Sequence, residues 1–214
     1  MKIFPKKSRP WVSTYLLILA LFSLFSFGLT TPNLLLLNSS WFVEFQFWMW
    51  KTFFHDRELT TLIFTGFVIV FFALFAKILQ TLPKKQEITS KQQIIAIVLL
   101  SLPLLLGYNL LSADVFNYIF NSRMVIKYQA DPHMRVALDF PFDDWTRFMH
   151  NTHTAAPYGY GWTALSLVPY LAGVGKFFTT WLSFRLFSLL SIILTSLSIS
   201  ALHLKLFKKN ISWR

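Results

Sequence analysis

No cysteine occurs among the 214 residues, which excludes a disulfide framework, a thiolate nucleophile and any cysteine-ligated metal site. Charge is scarce too. Asp, Glu, Lys and Arg make up 14% of the chain, against about 25% in ordinary soluble domains. Acidic charge is the scarcer sign, with 9 carboxylates against 20 Lys and Arg. That basic surplus does not imply nucleic acid, because the cations gather at the ends of apolar runs, where they act as topological anchors. No glycine-rich phosphate cradle is present, so nothing supports a cytosolic nucleotide-sugar donor. Internal repeats and low-complexity stretches are missing as well.

What the chain has instead is apolar and aromatic: 55% hydrophobic, with 24 Phe and 8 Trp. Residues 10–43, 59–76, 92–113 and 186–204 carry no charge. Each run approaches or exceeds the roughly 18–20 apolar residues that cross a hydrocarbon core of about 30 Å. The pattern predicts an all-α polytopic membrane protein of about four transmembrane helices. Spans are expected at 11–29, 59–80 and 94–111, with a fourth after residue 179. Pro103 is expected to kink the third span rather than end it. The basic N-terminus followed by a long apolar run looks like a signal peptide, but no small-residue cleavage site precedes Thr30. It reads as an uncleaved first span.

Residues 41–54 (WFVEFQFWMWKTFF) have the aromatic content of an interfacial helix. The uncharged stretch 157–175 is dissected by Pro157, Gly159, Gly161, Pro169, Gly173 and Gly175, so a short surface helix is expected there, not a span. Basic clusters stand at the N-terminus, at 84–91 and in the tail (Lys205, Lys208, Lys209, Arg214). Four spans put all three on the cytoplasmic side, with both termini, and make loop 112–179 extracytoplasmic. On this reading an N-terminal hairpin (1–93) precedes a segment of span, large outer loop with juxtamembrane helices, and span (94–214). Segments 30–58 and 112–179 hold eight of the nine carboxylates. Loops are polar anyway, which explains the number but not the clustering after the third span.

Asp114 stands just past that span, in LLSADVFNYIFNSRMVIKYQADPH (110–133). Ser112 is a candidate N-cap for a helix beginning there. At about 100° per residue, Asp114, Asn117 and Asn121 form one stripe, with Phe116, Phe120 and Lys127 nearly opposite. Two readings of Asp114 stay open: a carboxylate pointed into a cleft at the lipid surface, or a helix-dipole partner contributing about 0.3–1 kcal/mol. Asp143 and Asp144, beside Pro141, read as a turn or cap before an acidic site. His150 and His153 have metal-binding spacing, but no third ligand of clear geometry, so no metal is expected. Tyr158 and Trp162 read as anchors of the surface helix, and His203 as interfacial.

Ser112-Ala113-Asp114-Val115-Phe116-Asn117-Tyr118, Arg123, Asp131-Pro132, Pro157-Tyr158-Gly159, Pro169, Gly173 and Arg185-Leu186 together resemble the outer loop of GT-C membrane glycosyltransferases. The likeness is nearest to bacterial polyprenol-phosphate-mannose-dependent mannosyltransferases, and covers roughly 95–205. Phe116, His133 and Tyr160 depart from that pattern, which has Tyr, Tyr and Pro there. Members also continue through further spans, so the chain reads as an N-terminal portion, a split subunit or a truncated frame. The resemblance implies transfer of a hexose, such as mannose, from a polyprenyl-phosphate sugar to an acceptor hydroxyl, with inversion and no cofactor. It implies Asp114 as catalytic base and Asn117, Arg123, Asp131, Tyr158 and Arg185 as substrate-binding. The implied partners are membrane lipid, the lipid-linked donor, a glycan or lipid acceptor and a second chain supplying further spans; nucleic acid is not among them. The alternative is a non-catalytic membrane component of a glycan assembly or export complex. A transporter fragment fits less well, since ionisable residues avoid the span interiors.

Overall fold

A computed structural model describes residues 3–29, 39–83, 87–109 and 112–207. The described residues form seven α-helices and short 3₁₀ or π turns, with no β-strand. The helices are α1 (Arg9–Phe25), α2 (Ser40–Met49), α3 (Arg57–Thr81), α4 (Ser90–Leu106), α5 (Asp114–Tyr128), α6 (Tyr160–Ala172) and α7 (Phe177–Phe207). A π-helical turn, Trp50–Phe54, continues α2, so 41–54 is helical throughout. The protein is an all-α polytopic membrane protein. Among the described residues three segments are long and apolar enough to cross a bilayer: Arg9–Leu29, α3 and α7.

The third expected span differs. It begins at Ser90 rather than 94 and ends at Leu106 rather than 111. Seventeen residues rise about 25 Å, short of a full hydrocarbon core. Its start is set by a capping box between Thr89 and Gln92, and Pro103 is accommodated inside it. Its end is set by α1 and the 3₁₀ turn that follows. The Ser23 hydroxyl donates to the Pro103 carbonyl at 2.6 Å, and the Ser26 hydroxyl accepts the Tyr108 N–H at 2.6 Å. Gly107 turns extended (ψ 157°) against Ser23, where a Cβ would approach Ser23 Oγ to 2.5 Å. The expected residues Leu110 and Leu111 lie outside the described residues, as do the anchors Lys2, Lys84, Lys85, Lys208, Lys209 and Arg214.

The chain forms two compact units that interleave in sequence. The first contains α1, α3, α4 and the later part of α7, so the expected boundary at 93/94 falls inside it. Between α1 and α3, Phe22 packs edge to face on Phe67 and Phe71, and Phe25 lies tilted against Phe67. Phe4 and Val12 pack on Ala96. Gln93 donates to the carbonyl of Ser196 and accepts from the Ser200 hydroxyl, so α4 and α7 are joined by polar groups in an otherwise apolar stretch.

The second unit contains most of α2, with α5, α6 and the start of α7. Phe116, Ile119, Phe120 and Met124 give α5 a buried apolar face. Phe120 and Met124 pack with Ala137, Phe140 and Trp145; Phe116 and Phe148 each stack on Phe177 and lie tilted to one another. Segment 129–159 is held by its own turns and by Leu138 N–H to Thr152 and Ala156 N–H to Pro132. Helix α6 runs through Pro169, longer than its glycines and prolines suggest, and at 13 residues is too short to span. Gly173 then lies directly against Thr180, whose backbone leaves no room for a Cβ.

Candidate functional site

Asp114 is the first residue of α5, and its side chain does not cap the helix. Ala113 holds the N-cap position without a side-chain bond, and the Ser112 hydroxyl accepts the Asp114 N–H at 3.1 Å. The expected Ser112 cap is therefore displaced by one residue, because Ser112 reaches the first helical N–H from outside the helix. The Asp114 carboxylate has no hydrogen-bond or ion-pair partner among the described residues.

Asn117 and Asn121 continue the stripe at one and two turns, as the helical period requires. With Asp114 they line a small cleft of about 50 Å³, closed on the other side by Asn151 and the 154–158 segment ending at Tyr158. The Asn117 Oδ1 is buried in it without a partner among the described residues. Tyr118 also lines a second, shallow dimple with Asn121, Tyr158, Trp162, Thr163 and Ser166 that is too tight to hold even a water. Its ring meets Tyr158 and Trp162 edge-on, at centroid distances of 5.6 and 5.2 Å. Burial, then the hydrogen bond with Tyr158 and the nearby charges, push the Tyr118 phenol well up, so it stays a hydroxyl donor.

The other side of α5 is organised by Asp143. Arg123 Nε donates to its Oδ2 at 2.6 Å, with Lys127 at 3.2 Å and the Tyr128 hydroxyl at 2.5 Å; the Trp145 N–H donates to Oδ1 at 3.0 Å. The Arg123 guanidinium also stacks over Trp145, 3.9 Å from the ring centroid. Burial opposes ionisation of Asp143, but hydrogen bonds from Arg123, Tyr128 and the Trp145 N–H outweigh it and hold the carboxyl down to about 2. Arg123, expected to bind substrate, takes part in this tie. Asp143 does cap the Asp144–Phe148 turn, and it also fastens that turn to α5.

Asp131 accepts the His133 N–H at 2.9 Å and the Tyr160 hydroxyl at 2.8 Å, and these bonds hold its carboxyl below the usual range. His133 Nε2 lies 3.0 Å from Thr163 Oγ1. Both contacts seat the start of α6. Arg185 lies on α7, donates from Nη2 to Asn109 Oδ1 at 2.7 Å and stacks over Trp181 at 4.1 Å. Of the expected residues, Asp114, Asn117 and Tyr158 line one cleft; Arg123, Asp131 and Arg185 are not among its described lining residues.

A family described as alpha-(1->6)-mannopyranosyltransferase, N-terminal domain, matches residues 17–210. The chain belongs to that family. No curated protein matches the chain, and no solved structure does. At family level the protein is therefore a membrane mannosyltransferase.

Two further polar residues not expected from the sequence are Asn151, which lines the cleft, and Ser166, which lines the dimple beside Tyr118; they lie 23 and 38 residues beyond the end of α5. Nothing local marks Asn151. Ser166 lies one turn beyond Trp162 on the same helix face, a signal that becomes readable only once that face is known to meet α5.

Proposed function

We propose that Asp114 is the general base of a mannosyl transfer from a polyprenyl-phosphate-linked sugar to an acceptor hydroxyl on the outer side of the membrane. The observation that carries this reading is an unpartnered carboxylate opening into a cleft that α5 lines with amide groups. Such a carboxylate is open to an acceptor hydroxyl, whereas Asp143, Asp139 and Asp131 are committed to bonds within the chain. In the step, the acceptor oxygen bonds the anomeric carbon as the carbon–oxygen bond to the phosphate breaks. The hydroxyl proton passes to Asp114, and the lipid phosphate leaves with inversion. Arg185, oriented by Asn109 and Trp181, is the cation assigned to the departing phosphate.

In this reading both termini are cytoplasmic and 112–179 is extracytoplasmic. The chain has no cysteine, so single cysteines introduced at Lys91 and Asp139 report cleanly. An impermeant thiol reagent applied to intact cells is expected to label only position 139; equal labelling would overturn the topology. For the chemistry, Asp114→Asn in the intact protein, assayed in its native membrane, is expected to lower turnover by roughly 10²–10⁴. Undiminished transfer by that variant removes Asp114 from the mechanism.

A further inference from the structure

Two arginines of this protein stack on a tryptophan, and the side chains that hold them differ in charge. Arg123 lies 3.9 Å over Trp145 and donates to the Asp143 carboxylate. Arg185 lies 4.1 Å over Trp181 and donates from Nη2 to the Asn109 amide oxygen at 2.7 Å. The same oxygen accepts the Trp181 indole N–H at 3.2 Å. Guanidinium and indole nitrogens are donors only, so the oxygen of Asn109, and not its nitrogen, has to face α7. Its NH2 group then points the other way and donates to the Ser112 carbonyl at 3.3 Å. The Ser112 hydroxyl in turn accepts the Asp114 N–H.

One side chain thus joins the start of α7 to the residues that open α5. A carboxylate in its place would accept the same two bonds from α7, and bond the guanidinium more strongly. It would also set a negative charge against Arg185 and an acceptor against the Ser112 carbonyl. An amide oxygen fixes the direction of the guanidinium and adds no negative charge to it. The bond to Asn109 uses one of the five N–H groups a guanidinium carries, and Arg185 is partly exposed. Arg123, by contrast, is held by a full anion, as suits a residue that fastens a loop.

We infer that Asn109 is a positioning residue for the transfer reaction: its neutral acceptor holds the Arg185 guanidinium for an incoming phosphate without cancelling its charge. This rests on the proposed role of Arg185 at the departing lipid phosphate. It adds the residue that sets that cation in place, and the reason that residue is an amide.

The test compares Asn109→Asp, Asn109→Leu and Arg185→Gln in the purified intact protein, with a polyprenyl monophosphate in detergent micelles as the probe. Asn109→Asp keeps an acceptor for Arg185 and Trp181, so its melting temperature is expected to stay near the parent's. Its affinity for the lipid phosphate is expected to fall about tenfold or more, as in Arg185→Gln, the effect of losing one hydrogen bond to a charged group. In transfer assays KM for the lipid-linked donor should rise while KM for the acceptor stays constant. Asn109→Leu strands the buried Trp181 indole N–H and should lose melting temperature as well as affinity. If Arg185→Gln binds the lipid phosphate weakly and Asn109→Asp binds it as the parent does, the inference is overturned and Arg185 keeps its role. Affinity that falls only in step with melting temperature across the two Asn109 variants makes Asn109 structural and overturns the inference as well. If Arg185→Gln binds the lipid phosphate as tightly as the parent, the phosphate role of Arg185 fails, and the inference with it.

Discussion

The two sides of α5 use the same kinds of residue to opposite ends. On one side Arg123, Lys127 and Tyr128 converge on Asp143 and each donates to its carboxylate. On the other, Asp114, Asn117 and Asn121 face open space, and the Asp114 carboxylate and Asn117 Oδ1 have no partner among the described residues. The paired side joins α5 to the Asp144–Phe148 turn. The unpaired side retains its polarity at a cost in stability, which is the expected condition of a site awaiting substrate. In the proposed function the site is carried by Asp114, a carboxylate that is unanswered and lines the cleft, and not by charge alone.

The sharpest way to break the comparison is to neutralise one acid on each side. Asp114→Asn, the largest expected effect on activity, corresponds to about 3–5 kcal/mol of transition-state stabilisation. It should leave thermal stability nearly unchanged, because Ser112 and not Asp114 bonds the first helical N–H. Asp143→Ala should do the reverse. It strands Arg123, 12% exposed at its side chain, and is expected to cost about 3 kcal/mol of stability. Chemical denaturation of both variants checks the contrast. Comparable stability losses from both would erase the distinction between the two faces.

Acid should expose the same asymmetry. The folded-state pKa of Asp143 is depressed to about 2, below the unfolded value of about 3.9. Its contribution to stability is therefore complete above about pH 4 and is lost as pH falls toward 2. Melting temperature should decline through that window in the parent protein and decline less in Asp143→Asn, which has no carboxyl left to protonate. Parallel declines would show that the Arg123–Asp143 tie is not what acid breaks.

Which parts of this were legible beforehand follows from the range of the interactions. Charge-free runs specify spans locally, and α1, α3 and α7 follow them. The end of α4 is not local. It depends on Ser23 and Ser26, 80 or more residues earlier in the chain. The stripe Asp114, Asn117, Asn121 is helical arithmetic and needs no tertiary knowledge. Arg123 could not be placed that way, because its partner Asp143 lies 20 residues on, across a loop of irregular turns. Asn151 comes to line the cleft, and Ser166 the dimple beside Tyr118, only through how the 150s segment and α6 pack on α5, which no periodicity encodes.

The smallest expected effect separates pairing from burial. Arg135 and Asp139 form an ion pair at 2.8 Å, as close as many in the Asp143 cluster, but their side chains are 57% and 34% exposed. Water already solvates both ions, so their mutual attraction is screened and ordering two side chains offsets much of it. Exposed pairs of this kind contribute about 0.2–1 kcal/mol. Asp139 also accepts the Val136 N–H at 3.1 Å, a bond that Asn can keep through its own oxygen. Asp139→Asn is therefore expected to change stability by less than about 0.5 kcal/mol and to leave transfer activity intact. Added salt should alter even that small difference, since exposed charges lose their attraction at high ionic strength, while the effect of Asp143→Ala should persist. If Asp139→Asn destabilised the protein as much as Asp143→Ala, pairing alone would hold the loop together. The argument that burial makes the Asp143 tie strong, and leaves Asp114 free to react, would lose its support.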